Sequence, residues 1–219
     1  LLLPGLGADA RLFDDLRPHA PPFVVPAWRT PLPGESLRDY ARRWAPSLSA
    51  HERPRVLAGM SFGGQVALEL ADVLRPDAVL LLASHPDGSE VSARFRRQVR
   101  VLPFVPDRAL RFGLVNLGMP AIARDERLAA AQRERLRAMA RAADLTFFRW
   151  AARAAARWDR AANATSPCRV RRLHGESDRV IPLGRRDGVE LLANAGHLLP
   201  MTHAQEVGEW LRREVAACV

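Results

Sequence analysis

The 219-residue chain contains no lysine: all 33 of its basic residues are arginine. It is also poor in cysteine (two), in tyrosine (one) and in long apolar runs. Each shortage excludes something. Cys168 and Cys218 form neither a CxxC pair nor a Cys/His metal spacing, so a disulfide-stapled or zinc-held scaffold is excluded. Buried free thiols in a reducing, cytoplasmic setting are expected instead. No stretch of about 18 uninterrupted apolar residues occurs, so no membrane span is expected. No Walker-type phosphate loop and no metal-ligand spacing are present, so neither cofactor nor metal is expected. The length suits one domain that buries roughly 70% of its unfolded surface. Leu1 lies inside an apolar run rather than at a methionine, so an upstream segment is expected and a targeting peptide stays open.

The net charge of +9 invites a nucleic-acid or anionic-surface reading. The arginines, however, are interleaved with acids in Ala-rich helical stretches, as in Arg124-Asp125-Glu126-Arg127 and Arg133-Glu134-Arg135. That pattern reads as solvated helix faces, and missing lysine as codon bias. Without a helix-turn-helix, zinc-finger or RNP-type signature, no specific nucleic-acid binding is expected.

Short apolar runs alternate with helical patterns, the sequence form of a parallel sheet with helices on its faces. Six strands are expected at Leu1–Leu3, Phe23–Val25, Arg55–Ala58, Ala78–Ala83, Cys168–Leu173 and Val189–Ala193, with helices near 36–50, 62–74 and 203–216. The interval 86–166 breaks this alternation: it is Ala/Arg-rich, helical in period and divided by Pro103, Pro106 and Pro120. It is longer than a crossover needs and reads as a helical lid inserted into a core of 1–85 and 167–219. Its apolar residues Phe104, Phe112, Met119, Phe147, Phe148, Trp150 and Trp158 are candidates to line a pocket or to pack the lid's own core.

Chemistry concentrates first at Gly59-Met60-Ser61-Phe62-Gly63-Gly64, a G-x-S-x-G pattern between a buried strand and a helix. A serine on so sharp a turn needs small neighbours, which Gly59 and Gly63 provide. A plain glycine-rich turn is the alternative. A serine hydroxyl needs a base within reach, and the base needs an orienting group. His174-Gly175-Glu176-Ser177-Asp178 follows one strand and Ala195-Gly196-His197 follows the next. Strand C-terminal ends gather on one sheet edge, so Ser61, Asp178 and His197 are expected to converge as nucleophile, orienting acid and base.

In this order of serine, acid and histidine the chain resembles the α/β-hydrolase superfamily, in particular its small lid-bearing esterase and thioesterase branches. The resemblance covers the Pro4-Gly5 loop, the elbow at Ser61, the stretch His174 to Pro182 and the Gly196-His197 pair. It implies a doubly wound, mostly parallel sheet, no cofactor, a small-molecule ester or thioester substrate, and an oxyanion hole from the backbone N–H groups of Leu6 and Phe62. Two departures stand out. Pro4-Gly5 replaces the common His-Gly, and Leu183 to Gly188 leaves room for only one turn where the family carries a helix.

Other residues rank behind these. His85 follows a strand on the same edge and, with Phe104 and Trp150, is a candidate substrate contact. Asp187 is the fallback acid. His174 is expected to pack or bond to backbone, while His19, His51 and His203 are expected in solvent. Asn163-Ala164-Thr165 matches a glycosylation acceptor. Rival functions are an acyltransferase or lyase using the same three residues, and a non-catalytic binding module on this fold.

Overall fold

The computed structural model describes residues 1–48, 56–161, 166–184, 186 and 188–218. His51, Arg55, Asn163, Ala164, Thr165 and Asp187 therefore lie outside the described residues.

Five parallel strands form one sheet in the order β1 (Leu2–Leu3), β2 (Val56–Met60), β3 (Ala78–Leu82), β4 (Arg169–Gly175) and β5 (Val189–Leu192). Their pairing is in simple register: Leu3 lies beside Gly59, Met60 beside Leu82, Leu82 beside Leu173 and Gly175 beside Leu192. Side chains alternate between faces as the pleat requires. Leu2, Ala58, Met60, Leu80, Leu82 and Leu173 enter one apolar cluster, while Leu3, Leu57, Val79 and Leu81 enter the other.

The expected strand at Phe23–Val25 does not form as one. It runs along the outer edge of β1 and is tied there by a hydrogen bond from Leu2 N to Val24 O, 2.9 Å long. Pro21, Pro22 and Pro26 remove donors on both sides of it, so no continuous ladder can grow. The segment still sets the winding. The chain leaves β1 for this edge, then returns across helix α1 (Leu37–Leu48) to the opposite side of β1 at β2. The candidate residues gather near this reversal, at the strand C-termini.

Helices cover both faces. Helix α1, α2 (Phe62–Leu74) and α7 (Leu145–Arg157) share one apolar cluster. Helix α2 is buried from Phe62 to Ala71; its one polar stripe carries Glu69, which accepts from Trp158 Nε1 (2.8 Å), and Asp72, which pairs with Arg160 (3.0 Å). The other face is covered by α8 (Leu199–Thr202) and α9 (Ala204–Ala216), with Trp210 fully buried. The glutamate Glu214 of α9 lies 3.0 Å from Arg169 and 3.3 Å from Arg171, two same-side arginines of β4, and fastens that helix to the sheet.

Between β3 and β4 the chain forms α3 (Ala93–Val101), α4 (Asp107–Gly113), a π-helical turn (Leu114–Gly118), α5 (Met119–Asp125), α6 (Ala130–Ala142) and α7. Helix α7 differs from the rest. Its Phe147, Trp150, Ala151 and Ala154 pack with Tyr40, Trp44 and Val66 in the cluster behind the sheet. Among the described residues no helix is long and apolar enough to cross a membrane.

Candidate active site

Ser61 stands between β2 and α2 at φ 53°, ψ −121°, a strained conformation for a non-glycine residue. Its surroundings leave no room for side chains. A Cβ on Gly59 would lie 2.2 Å from Gly63 O, and one on Gly63 would lie 2.3 Å from Leu3 O. The turn is pinned by Ser61 N donating to Leu82 O (3.0 Å) and by Ser84 Oγ donating to Ser61 O (2.7 Å). A serine at a helix N-cap ordinarily spends its hydroxyl on the helix. Here Ser61 makes no such bond, and its hydroxyl faces a cavity.

Asp178 and His197 meet behind that cavity. His197 Nδ1 lies 2.8 Å from Asp178 Oδ2, while Asp178 Oδ1 accepts the backbone N–H groups of Val180 (2.9 Å) and Ile181 (2.8 Å). Burial alone would raise the Asp178 carboxyl. Hydrogen bonds from His174 and His197, the charge of His197 and the Ile181 N–H outweigh it and hold the group well below the usual carboxylate range. Asp178 is therefore ionised and can only accept, so His197 Nδ1 carries a hydrogen, and in the neutral ring Nε2 presents a lone pair. His174 Nε2 lies 2.9 Å from Ile181 O and 3.3 Å from Asp178 Oδ2. A carbonyl can only accept, so this nitrogen is also a donor, and it braces the acid loop from below.

The two loops cross closely. Ser177 N donates to Ala195 O (2.9 Å), and a Cβ on Gly175 would fall 2.2 Å from Gly196 O. The backbone N–H of His197 is bound by Glu126 Oε1, from the end of α5. A Cβ on Gly196 would lie 2.2 Å from that same oxygen, so a side chain at 196 would have to displace the Glu126 carboxylate.

Ser61 and His197 share the wall of a cavity of about 380 Å³ with Leu6, Phe62, His85, Met119, Phe148 and other, mainly apolar, residues. Among the described residues neither Ser61 Oγ nor the backbone N–H of Leu6 or Phe62 has a hydrogen-bond partner. Gly5 approaches Ser61 so closely that a Cβ there would touch the serine's own at 3.4 Å. His85 is also on this wall, and burial lowers its pKa to about 4 against the pull of Glu90, so it is neutral near pH 7. Gln65 is a wall residue that sequence reasoning missed. Its carboxamide oxygen is buried without a partner, and its place one turn after Ser61 on α2 was the available signal.

Two expected pocket residues are not on the wall. Phe104 is 85% exposed. It ends a short 3-10 turn whose Leu102, with Val105 just after it, faces inward, which turns residue 104 to solvent. Trp150 is buried, but its Nε1 donates to Glu35 O (2.8 Å) and its ring packs on Tyr40 with centroids 4.5 Å apart. At 100° per residue it faces the opposite side of α7 from Phe148, which does line the cavity. Among the described residues no cluster of His, Cys, Asp and Glu could hold a metal ion.

Solved structures with this fold are numerous. A thermophilic esterase from Thermogutta terrifontis superposes with a TM-score of 0.77 at 20% identity, over 99% of this chain and 89% of that one. ClbQ, from the colibactin NRPS/PKS pathway, gives 0.65 at 18% over 99% and 96%. An epoxide hydrolase from Bacillus megaterium gives 0.70 at 11% over 98% and 92%. No curated protein matches in sequence. The profile of the alpha/beta hydrolase family matches residues 1–210, and the chain belongs to that family.

Proposed function

We propose that the protein hydrolyses a carboxylic ester or acyl thioester through an acyl-enzyme on Ser61. The observation that carries this reading is the strained, uncapped Ser61 on a cavity wall shared with His197, whose Nδ1 is bound to the buried Asp178. Ser61 Oγ attacks the carbonyl carbon while His197 Nε2 takes its proton. The developing oxyanion is met by the free N–H groups of Leu6 and Phe62, fixed dipoles at the end of β1 and the start of α2. His197 returns the proton to the leaving group; it then takes one from water as the water oxygen attacks the acyl carbon, and delivers that proton to Ser61 Oγ as the Ser61–acyl bond breaks and the acid leaves. Among the described residues the hydroxyl has no partner, and catalytic contacts often tighten only with substrate.

The paired donors favour an acyl carbonyl over an epoxide as electrophile, because a tetrahedral oxyanion is what such donors stabilise. In the same reading α3 to α6 act as a lid: Phe95, Leu114, Met119, Ile122 and Leu136 from these helices and their connections complete the cavity. An acyltransferase would use the same residues, and product analysis with added alcohol or amine separates the two. The test of the nucleophile is covalent. A fluorophosphonate should label Ser61, and Ser61→Ala should lose both labelling and ester turnover while its circular dichroism is unchanged. Labelling that persists in folded Ser61→Ala places the nucleophile elsewhere.

A further inference from the structure

A second opening adjoins the catalytic cavity. It is a cleft of about 320 Å³ between α3, α4 and α7, and four residues, Leu6, Phe95, Leu114 and Phe148, belong to the walls of both spaces. Beyond these four the cleft is walled by Val99, Leu102, Val105, Leu110 and Ala152 among others, and Gln98 is its polar member. The two spaces differ in kind. The catalytic cavity holds Ser61, Gln65, His85, Glu90 and His197, whereas the cleft carries no ionisable side chain. Leu6, on the wall of both spaces, packs with its side chain against the small clusters that line the cleft around Val99 and Leu110. The four shared residues stand between the two spaces and are all apolar, so a chain that passes from Ser61 toward the cleft meets no polar side chain at the partition.

We infer that the cleft between α3 and α4 binds the aliphatic tail of a linear-chain ester or thioester, so that the enzyme prefers substrates with a chain too long for the catalytic cavity alone. This rests on the acyl-hydrolase reading and specifies its substrate class. Apolar walls without an ionisable group offer a chain nothing but desolvation. Each methylene moved into them contributes about 0.8 kcal/mol, which is close to a fourfold gain in kcat/KM per carbon. The gain ends when the cleft is full.

Gly113 supplies the test. It lies on the cleft wall in ordinary right-handed helical geometry, and a Cβ there meets nothing within 4 Å. Gly113→Phe is therefore expected to take up space at the cleft wall, which holds none of Ser61, Asp178 and His197. The measurement is kcat/KM for p-nitrophenyl esters from acetate to dodecanoate and for acetates of linear alcohols from ethanol to dodecanol. The first series places the tail on the acyl side, the second on the alcohol side. In one of the two series the unaltered enzyme should gain severalfold per carbon over several carbons. Gly113→Phe should abolish that gain, losing tenfold or more on the longest good substrate while acetate turnover stays within about twofold. A flat or falling profile in both series, or a gain that survives Gly113→Phe, overturns the inference and leaves acyl hydrolysis by Ser61 standing. Absence of all ester turnover together with absence of fluorophosphonate labelling would overturn the hydrolase reading and this inference with it.

Discussion

The serine turn and the acid–histidine pair sit on the same sheet edge but are held by different forces. Ser61 is fixed by exclusion: glycines at 59, 63 and 64 lie where any Cβ would strike backbone or the Ser84 side chain at 2.2 to 2.3 Å. Asp178 and His197 are fixed by attraction, through bonds from Val180, Ile181 and Glu126 and the support of His174. A sterically built turn fails all at once when its space is filled. A hydrogen-bonded pair degrades in steps, one bond at a time.

The largest effect is therefore expected from Gly63→Ala. The new methyl would meet Leu3 O at 2.3 Å and Pro4 O at 2.6 Å, both backbone atoms that cannot move without shifting β1. Stability should fall by several kcal/mol, with Tm dropping by about 10 °C or more and activity lost. A Tm within a degree or two of the parent would show that the turn is not sterically determined.

Asp178→Asn attacks the other side of the comparison. With no carboxylate to hold the Nδ1–H tautomer, kcat should fall by up to about 10⁴ while KM changes little. Steady-state kinetics on one ester, with folding verified by circular dichroism, measure this. A variant that lost KM and kept kcat would deny Asp178 an orienting role.

Glu126→Ala removes one bond from outside the sheet core. It should lower kcat by about tenfold, the order expected for one charge-assisted bond, and slow fluorophosphonate labelling in proportion, with Tm within a few degrees. Unchanged labelling kinetics would make the Glu126 contact ornamental to His197.

The last test concerns pH. His85 has a folded pKa of about 4 against an ordinary 6.5, so the unfolded chain binds its proton first as pH falls. The stability tied to neutral His85 is complete above about pH 6.5 and is lost as pH drops toward 4, by at most ~3 kcal/mol. Urea unfolding at pH 7 and pH 4.5 should show a smaller pH loss in His85→Asn than in the parent. Equal losses would remove His85 from the account.

The sequence made the serine turn legible because steric need leaves glycines at fixed offsets from Ser61, and it made the Asp178 and His197 loops legible because each follows an apolar run. Strand order and register were not legible, because β3 is apolar and buried at every position from Ala78 to Leu82 and offers no alternation to align. What escaped was long-range. Glu126 sits in an alternating charge run and reads as solvated, yet its carboxylate is used 71 positions later. The α7 pattern shows that one face is apolar without saying which partner it meets, so Trp150 looked like pocket wall and is core. Phe104 failed for a local reason, since a 3-10 turn between prolines does not keep the helical period. Phe23–Val25 has a strand's composition, but its flanking prolines leave the ladder without donors.

The hydrogen bond that the His197 N–H donates to Glu126 couples equilibria as well as positions. The acceptor belongs to the end of α5 and the donor to the loop that carries His197, so the placement of α5 and the placement of the imidazole share one free energy. By linkage, whatever favours this placement of α5 by some factor favours the ordered histidine by the same factor, and the reverse holds equally. A ligand that packs against Met119 and Ile122 of α5 on the cavity wall should thereby steady the imidazole as well. A molecule that locks His197 should in turn hold α5 without touching it.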